Sequence, residues 1–562
     1  MNSIAADDRW NGSFRIAAGV LFGALLVGIP IYVRMPPWPD LTLYQEASAN
    51  LLAGGVHYRD VFDTNLPGFV WLLTAVRAVF GGGSTPARVI DLAVVAAIAA
   101  LLAVWLRRLG ISRSLTAWVC AGVALFYPFT YEFCHVQRDT WMLLPAVAAC
   151  LLAASGTTRS NGFAVGLLWG AALWIKPHIV VPAAMVIFVP GVGEKMRAYL
   201  LHRGWIIVGG MACGAAGIAW LIGSGSWPHF LEVFTEWNPD YTKTTLGEMP
   251  NRVRYVICWF PAWSLWHVVA LPAAVRSVVK SARNRDDQRL RSRAVLSLLY
   301  LGWMLQAFVL QRGMDYVHVP ETILMLAVLA SVRISATPFV LGWLCLLGLA
   351  YFVAPETMTQ YAPESRTFSC ARPRMFSPKV LQYWPDAVYG PTTPQLMDDL
   401  AVMDVHCLAR FTELDGVAGY LRTVDPPLGD GQLLAFHDSP HPLYRMLDVK
   451  PATRFMHFGT VLDIRSQKER IGAEVRAAKP RFVVADLMRM QWPGGNPRAL
   501  AKNGDPLALP AWFPMSRRDR FPWNQSPRFR SGRYVVYEMT EEIGDVDIPL
   551  WQTVGSLGPG EP

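Results

Sequence analysis

Charge is scarce in this sequence. Only 17% of its 562 residues are Asp, Glu, Lys or Arg, against about 25% in soluble domains. With 53% hydrophobic residues, that shortage excludes an ordinary water-soluble chain. Paired cysteines are lacking too. None of the eight cysteines forms a Cys-x-x-Cys unit, which excludes zinc-ribbon and thioredoxin-type motifs. Cys120, Cys150, Cys213, Cys258 and Cys345 fall in apolar runs and read as buried hydrophobes. Cys370 and Cys407 lie in the more polar tail, where an oxidising compartment would let them pair. No glycine-rich phosphate loop and no nucleophile elbow occurs. No metal-ligand spacing is visible, so no metal site and no cofactor is read here, although a divalent cation between acidic loops stays open. The first apolar run, 16–33, has no small-residue cleavage site and reads as a retained membrane helix.

Long apolar runs, by contrast, recur as far as residue 353. A spanning helix needs about 20 mostly apolar residues. The pattern predicts a mostly α multi-pass membrane protein with spans near 16–33, 88–106, 115–130, 139–154, 161–175, 178–190, 204–222, 255–275, 294–310, 317–332 and 337–353. Residues 354–562 hold 24 basic and 24 acidic side chains, so the whole +9 excess belongs to the first 353 residues. That placement reads as a topology signal and not as a nucleic-acid surface. Segment 66–80 decides the orientation. Read as an interfacial helix, it puts "RRLGISR" (107–113), Arg159, "EKMRAYLLHR" (194–203) and the seven basic residues of 276–293 on one side. The positive-inside rule favours that choice. It gives about 11 transmembrane helices in a plasma membrane (bacterial inner membrane), the amino terminus inside and the carboxyl-terminal part outside.

The tail changes character. Residues 354–392 are rich in proline and aromatics and read as a linker. Beyond them, "LLAFHD" (433–438), "RFVVAD" (481–486) and "RYVVYEM" (533–539) read as strands, and 462–479 reads as an amphipathic helix stopped by Pro480. The domains are therefore 1–353 in the membrane, 354–392 as linker and 393–562 as an extracytoplasmic α/β domain.

The outer loops collect the unusual polar residues. The first is "PPWPDLTLYQEASANLLAGGVHYRDVFDTNLPG" (36–68), with Asp40, Glu46, Asp60 and Asp63. The others are "YEFCHVQRD" (131–139), "KPH" (176–178), the long loop 223–252 and "QRGMDYVHVP" (311–320). Ionisable groups at membrane depth are costly and suggest a functional site.

In order, these elements resemble the GT-C superfamily of glycosyltransferases. More narrowly, they look like the bacterial relatives of the protein O-mannosyltransferases and of the lipid A aminoarabinose transferase. The matching elements are Asp40 with "YQEASANLLAGGVHYRD", "NLPGFVWLLTAVRAVFG" with Arg88, "QRDTWMLL" with Asp139, "GAALWIKP" and "DYVHVP". They cover most of residues 10–335. The leading motif of that family is often "DE" or "D-x-x-x-Y" with a following Arg; here it is "DLTLYQE", which leaves sugar and acceptor open.

The resemblance implies transfer of a sugar from a polyprenyl-phosphate carrier to a lipid, glycan or protein acceptor. A phosphate is already a good leaving group, whereas an acceptor hydroxyl needs a base. Asp40 is the candidate base and Asp139 the second acid; either could instead cap a helix. Lys176 and Arg312 could hold the donor phosphate, or only snorkel to the interface. His318 could donate to the same phosphate or be a satisfied core residue. Asp60 and Asp63 could touch the acceptor, but "YRDVFDTNLPG" is turn-like and Asp63 suits an Asx turn. Trp237 and Tyr241 could stack on sugar or join an aromatic belt. Two other classes remain: a transporter, which would show midplane charges and inverted repeats, and a non-catalytic assembly or sensor protein.

Overall fold

The computed structural model describes residues 12–189, 196–240, 261–284, 286–311, 314–332, 341–342, 344–345, 381–402, 408–456, 467–487, 507–510, 513, 515–539 and 542–546. The first part is helical: α1 (Gly12–Arg34), α2 (Pro39–Leu52), α3 (Gly68–Phe80), α4 (Ser84–Arg108), α5 (Arg113–Phe126), α6 (Arg138–Ala153), α7 (Arg159–Ile175), α8 (Val180–Ile187), α9 (Met196–Gly223), α10 (Trp227–Glu232), α11 (His267–Arg283), α12 (Gln288–Leu305) and α13 (Val319–Ser331).

Four described helices are long and apolar enough to cross a bilayer unaided: Gly12–Arg34, Ser84–Arg108, Met196–Gly223 and Gln288–Leu310. The predicted spans at 115–130, 139–154, 161–175 and 178–190 correspond to α5, α6, α7 and α8, which have 14, 16, 17 and 8 residues. The predicted span 337–353 lies almost wholly outside the described residues. A count of eleven thus stays a reading of the sequence. Large apolar side chains face outward, with Phe22 69%, Met211 68% and Val268 72% exposed; such surfaces suit lipid and not water. The 13 residues of α3 rise about 20 Å, short of the roughly 30 Å hydrocarbon core.

Close helix packing has a local cause. α7 and α9 meet through glycine: a Cβ on Gly166 would stand 2.0 Å from the Ile206 carbonyl oxygen, and one on Gly209 2.1 Å from that of Phe163. Only small residues permit so near an approach of two backbones.

Loops sort to two ends. At one end Trp105 Nε1 donates to Ser292 Oγ (2.8 Å), Arg108 to Ser155 Oγ (2.6 Å) and Gln288 to the Ala154 carbonyl (2.8 Å). The predicted basic loops therefore share a face. The loops from 36–68, 131–139, 176–178 and the turn Asp315–His318 gather at the other, against the carboxyl-terminal part.

That part contains β1 (Leu433–Ala435), β2 (Phe482–Asp486), β3 (Ser526–Ser531) and β4 (Tyr534–Glu538), ordered β1-β2-β4-β3. β1 and β2 are parallel; β4 runs antiparallel to β2 and β3. Parallel neighbours need a crossover, and the helix Lys468–Ala478 lies in that connection. Every residue of β2 is buried, as expected of a strand covered on both faces. The predicted strands are found with frayed ends trimmed; β3 was not foreseen, because "SPRFRS" has a proline and two arginines. Gly532, at φ +54°, makes the β3–β4 turn.

The two parts share core. One buried cluster runs from Trp303 and Leu326 to Leu414 and Val484, and another joins Phe62 and Trp237 to Phe455.

Candidate functional site

Asp40 and Asp139 each open a helix. α2 begins at Pro39, with Trp38 at the N-cap position and no side-chain cap. Asp40 therefore lies inside the first turn and is not the cap, where the helix dipole still favours its charge. Its half-buried carboxylate accepts from Gln137 Nε2 at 3.2 Å. Gln137 is the N-cap residue of α6. Two residues on, Asp139 is fully buried.

Lys176 ends α7. Its Nζ donates to both oxygens of Asp139, at 3.0 and 2.7 Å, and to Gln311 Oε1. Gln311 in turn donates to Asp139 (3.2 Å) and to Gln306 Oε1 (3.0 Å). The lysine so predicted as a phosphate ligand is engaged in a buried ion pair with the second candidate acid. Asp40 and Arg138 lie within electrostatic reach of Lys176, and the Tyr316 ring lies 5.5 Å from its nitrogen.

A second set of bonds fixes the loops. Arg88 is fully buried and donates to the carbonyls of Tyr32 (3.0 Å) and Pro36 (2.6 Å) and to His135 Nδ1 (2.8 Å). It thereby ties the turn before Asp40 to the loop before Asp139. One turn later, Asp91 accepts from Tyr32, Tyr127 (2.6 Å), Trp141 Nε1 (2.6 Å) and the Val136 amide (3.1 Å).

The other predicted residues are placed as follows. Asp63 is buried and accepts from the Asn65 amide (3.0 Å) and side chain (2.6 Å), an Asx turn. His57 approaches it at 3.9 Å, but burial pushes His57 down to about 3, so the contact is not an ion pair at neutral pH. Asp60 accepts from the Val56 amide (2.7 Å) and from Arg59 (2.6 Å), which holds a turn. His318 meets Glu321 Oε1 at 2.6 Å. Trp237 is fully buried, 4.8 Å from the Phe62 ring and 5.6 Å from Phe455; it fills the seam with the carboxyl-terminal part and presents no open stacking face. Arg312 and Tyr241 lie outside the described residues. Among the described residues no group of three or more His, Cys, Asp or Glu side chains is arranged to hold a metal ion.

The carboxyl-terminal part covers this end. Arg454 bridges Glu232 (3.0 Å) and Glu474 (2.8 Å), and Arg470 bridges Glu232 (2.6 Å) and Glu236 (2.8 Å). Arg445 donates to Gln45 on α2 at 2.6 Å.

Gln137, Arg138, Gln311 and Glu321 were missed in the sequence. Arg138 had a signal: "QRD" puts two charges at the start of an apolar run. The glutamines had none, since their roles depend on contacts across 97 and 172 residues.

No family model and no curated protein sequence matches the chain. Among solved structures, ArnT from Cupriavidus metallidurans bound to undecaprenyl phosphate is similar, with a TM-score of 0.51 and 13% identity over 95% of this chain and 98% of that one. The apo state of the same protein gives 0.51 and 14% over 93% and 96%. The likeness is one of fold, extends over nearly the whole of both chains, and agrees with the resemblance read in the sequence.

Proposed function

We propose that this chain is a membrane glycosyltransferase. It takes a sugar from a polyprenyl-phosphate carrier and transfers it to an acceptor hydroxyl at the extracytoplasmic face. In this reading the acceptor oxygen attacks the anomeric carbon while Asp40 takes its proton. The bond from that carbon to the phosphate oxygen breaks, and the carrier leaves as a phosphate monoester. Asp139 and Lys176 set the wall opposite the base, with Arg312 and His318 as further phosphate candidates.

One observation carries the proposal: a half-buried carboxylate, Asp40, is bonded to the cap of the helix whose first turn holds Asp139, the acid buried against Lys176. Ion pairs at such depth are seldom kept for stability alone. The ArnT fold, in a protein solved with undecaprenyl phosphate, supports the carrier class. This reading puts the basic loops in the cytoplasm, the carboxyl-terminal part (393–562) outside, and eleven helices across residues 1–353.

The test is turnover by the purified full chain in lipid nanodiscs. Polyprenyl-phosphate pentose and hexose donors are supplied and released polyprenyl phosphate is measured. Release that depends on Asp40 supports the reading. No release from any donor, with no polyprenyl phosphate in the mass spectrum of the purified protein, refutes it.

A further inference from the structure

Other buried arginines in this protein are held by acceptors at their terminal nitrogens. Arg88 has three acceptors, and Arg533 meets Asp486, the Leu408 carbonyl and Tyr534. Arg138 is different. It is the first residue of α6 and only 8% exposed. Its Nε is buried without a hydrogen-bond partner, as are those of Arg88 and Arg533, but those two bond through their other nitrogens. Among the described residues its guanidinium forms no hydrogen bond or close ion pair, and it lies 5.7 Å from the Tyr44 ring.

Two carboxylates, Asp63 and Asp139, are within electrostatic reach of it. Both are engaged elsewhere: Asp139 with Lys176 and Gln311, Asp63 with Asn65. They lower the cost of burying the guanidinium but leave its donors unused. A desolvated cation with idle donors is costly, so an anion is the natural occupant beside it. The surroundings narrow the choice. Arg138 stands between Gln137, which holds Asp40, and Asp139, which holds Lys176. The planar fork of arginine matches two oxygens of one phosphate, whereas the Lys176 ammonium is already taken.

We infer that Arg138 is the residue that grips the phosphate of the lipid carrier, with Lys176 acting through Asp139 to hold the wall beside it. This rests on the glycosyltransferase reading and adds the phosphate ligand to it. When the bond to the sugar breaks, the phosphate gains a negative charge next to this guanidinium, and the bidentate contact strengthens.

The experiment uses the full chain in nanodiscs and compares undecaprenyl phosphate with undecaprenol, which has the same tail and no phosphate. Wild type is expected to prefer the phosphate lipid. Arg138→Gln should lower that affinity by at least about tenfold and leave undecaprenol unchanged. Arg138→Lys should fall between them, since it keeps the charge and loses the fork; it also serves if the glutamine variant does not fold. Equal affinity for undecaprenyl phosphate in wild type and in every folded variant overturns the inference while leaving the enzyme class standing. No phosphate preference in wild type overturns the broader reading instead.

Discussion

Lys176 Nζ stands 2.7 Å from Asp139 Oδ2, and the two side chains are 7% and 0% exposed. The pair joins the end of α7 to the start of α6, with Gln311 donating to one partner and accepting from the other. Removing one member alone leaves the other as an uncompensated buried charge. Lys176→Met is therefore expected to cost about 3–5 kcal/mol of stability. Adding Asp139→Asn should recover part of that loss. Denaturation of the single and double variants checks it; strictly additive costs would show that the two do not interact.

Asp40 separates chemistry from capping. It is not the N-cap of α2, and asparagine keeps the oxygen that accepts from Gln137. Asp40→Asn should leave the melting temperature unchanged. General-base assistance is worth about 10²–10⁴-fold, and sugar transfer should fall by that much. Near wild-type transfer would remove Asp40 from the mechanism and leave Asp139 as the next candidate.

The seam with the carboxyl-terminal part has a defined pH response. Burial works against the charge on Glu232, but Arg454 and Arg470 outweigh it and hold its carboxyl below the ordinary 4.5. A carboxylate so depressed adds stability above its unfolded value, and that stability is lost as pH falls through the folded value. Hydrogen exchange across 227–237 should stay slow at neutral pH and accelerate only once the pH has fallen below the ordinary carboxylate value. Glu232→Gln should abolish the acid step; an unchanged step would place it elsewhere.

Topology gives a further prediction. The basic loops 107–113 and 276–293 meet at one end, where Trp105 bonds Ser292. The positive-inside rule predicts that this end faces the cytoplasm. A reporter active only outside the cytoplasm, fused after Pro562, should give signal, and one fused within 276–293 should be silent. The reverse pattern would invert the protein.

The sequence read well where the information is local. The helix at 68–80 and the strands at 482–486 and 534–538 follow from period, length and turn residues. Asp63 was legible as an Asx turn because the motif is complete within three residues. Asp139 and Lys176 were each singled out, but not their pairing, since 37 residues separate them and nothing in either neighbourhood names the other. Trp237 misled for a related reason. An aromatic in a polar loop suggests an interface, and only the folded chain brings Phe455 against it.

The meshing of α7 and α9 has a mechanical consequence. Where backbones interlock at Gly166 and Gly209, one helix cannot slide along the other without collision. α7 ends at Lys176, and α9 leads within four residues into α10 and Glu232. The ammonium of the site and the acidic seat of the carboxyl-terminal part therefore ride on a single stiff strut. A force that tilts the carboxyl-terminal part tilts Lys176 with it, and any play between helices falls to those joined through side chains alone.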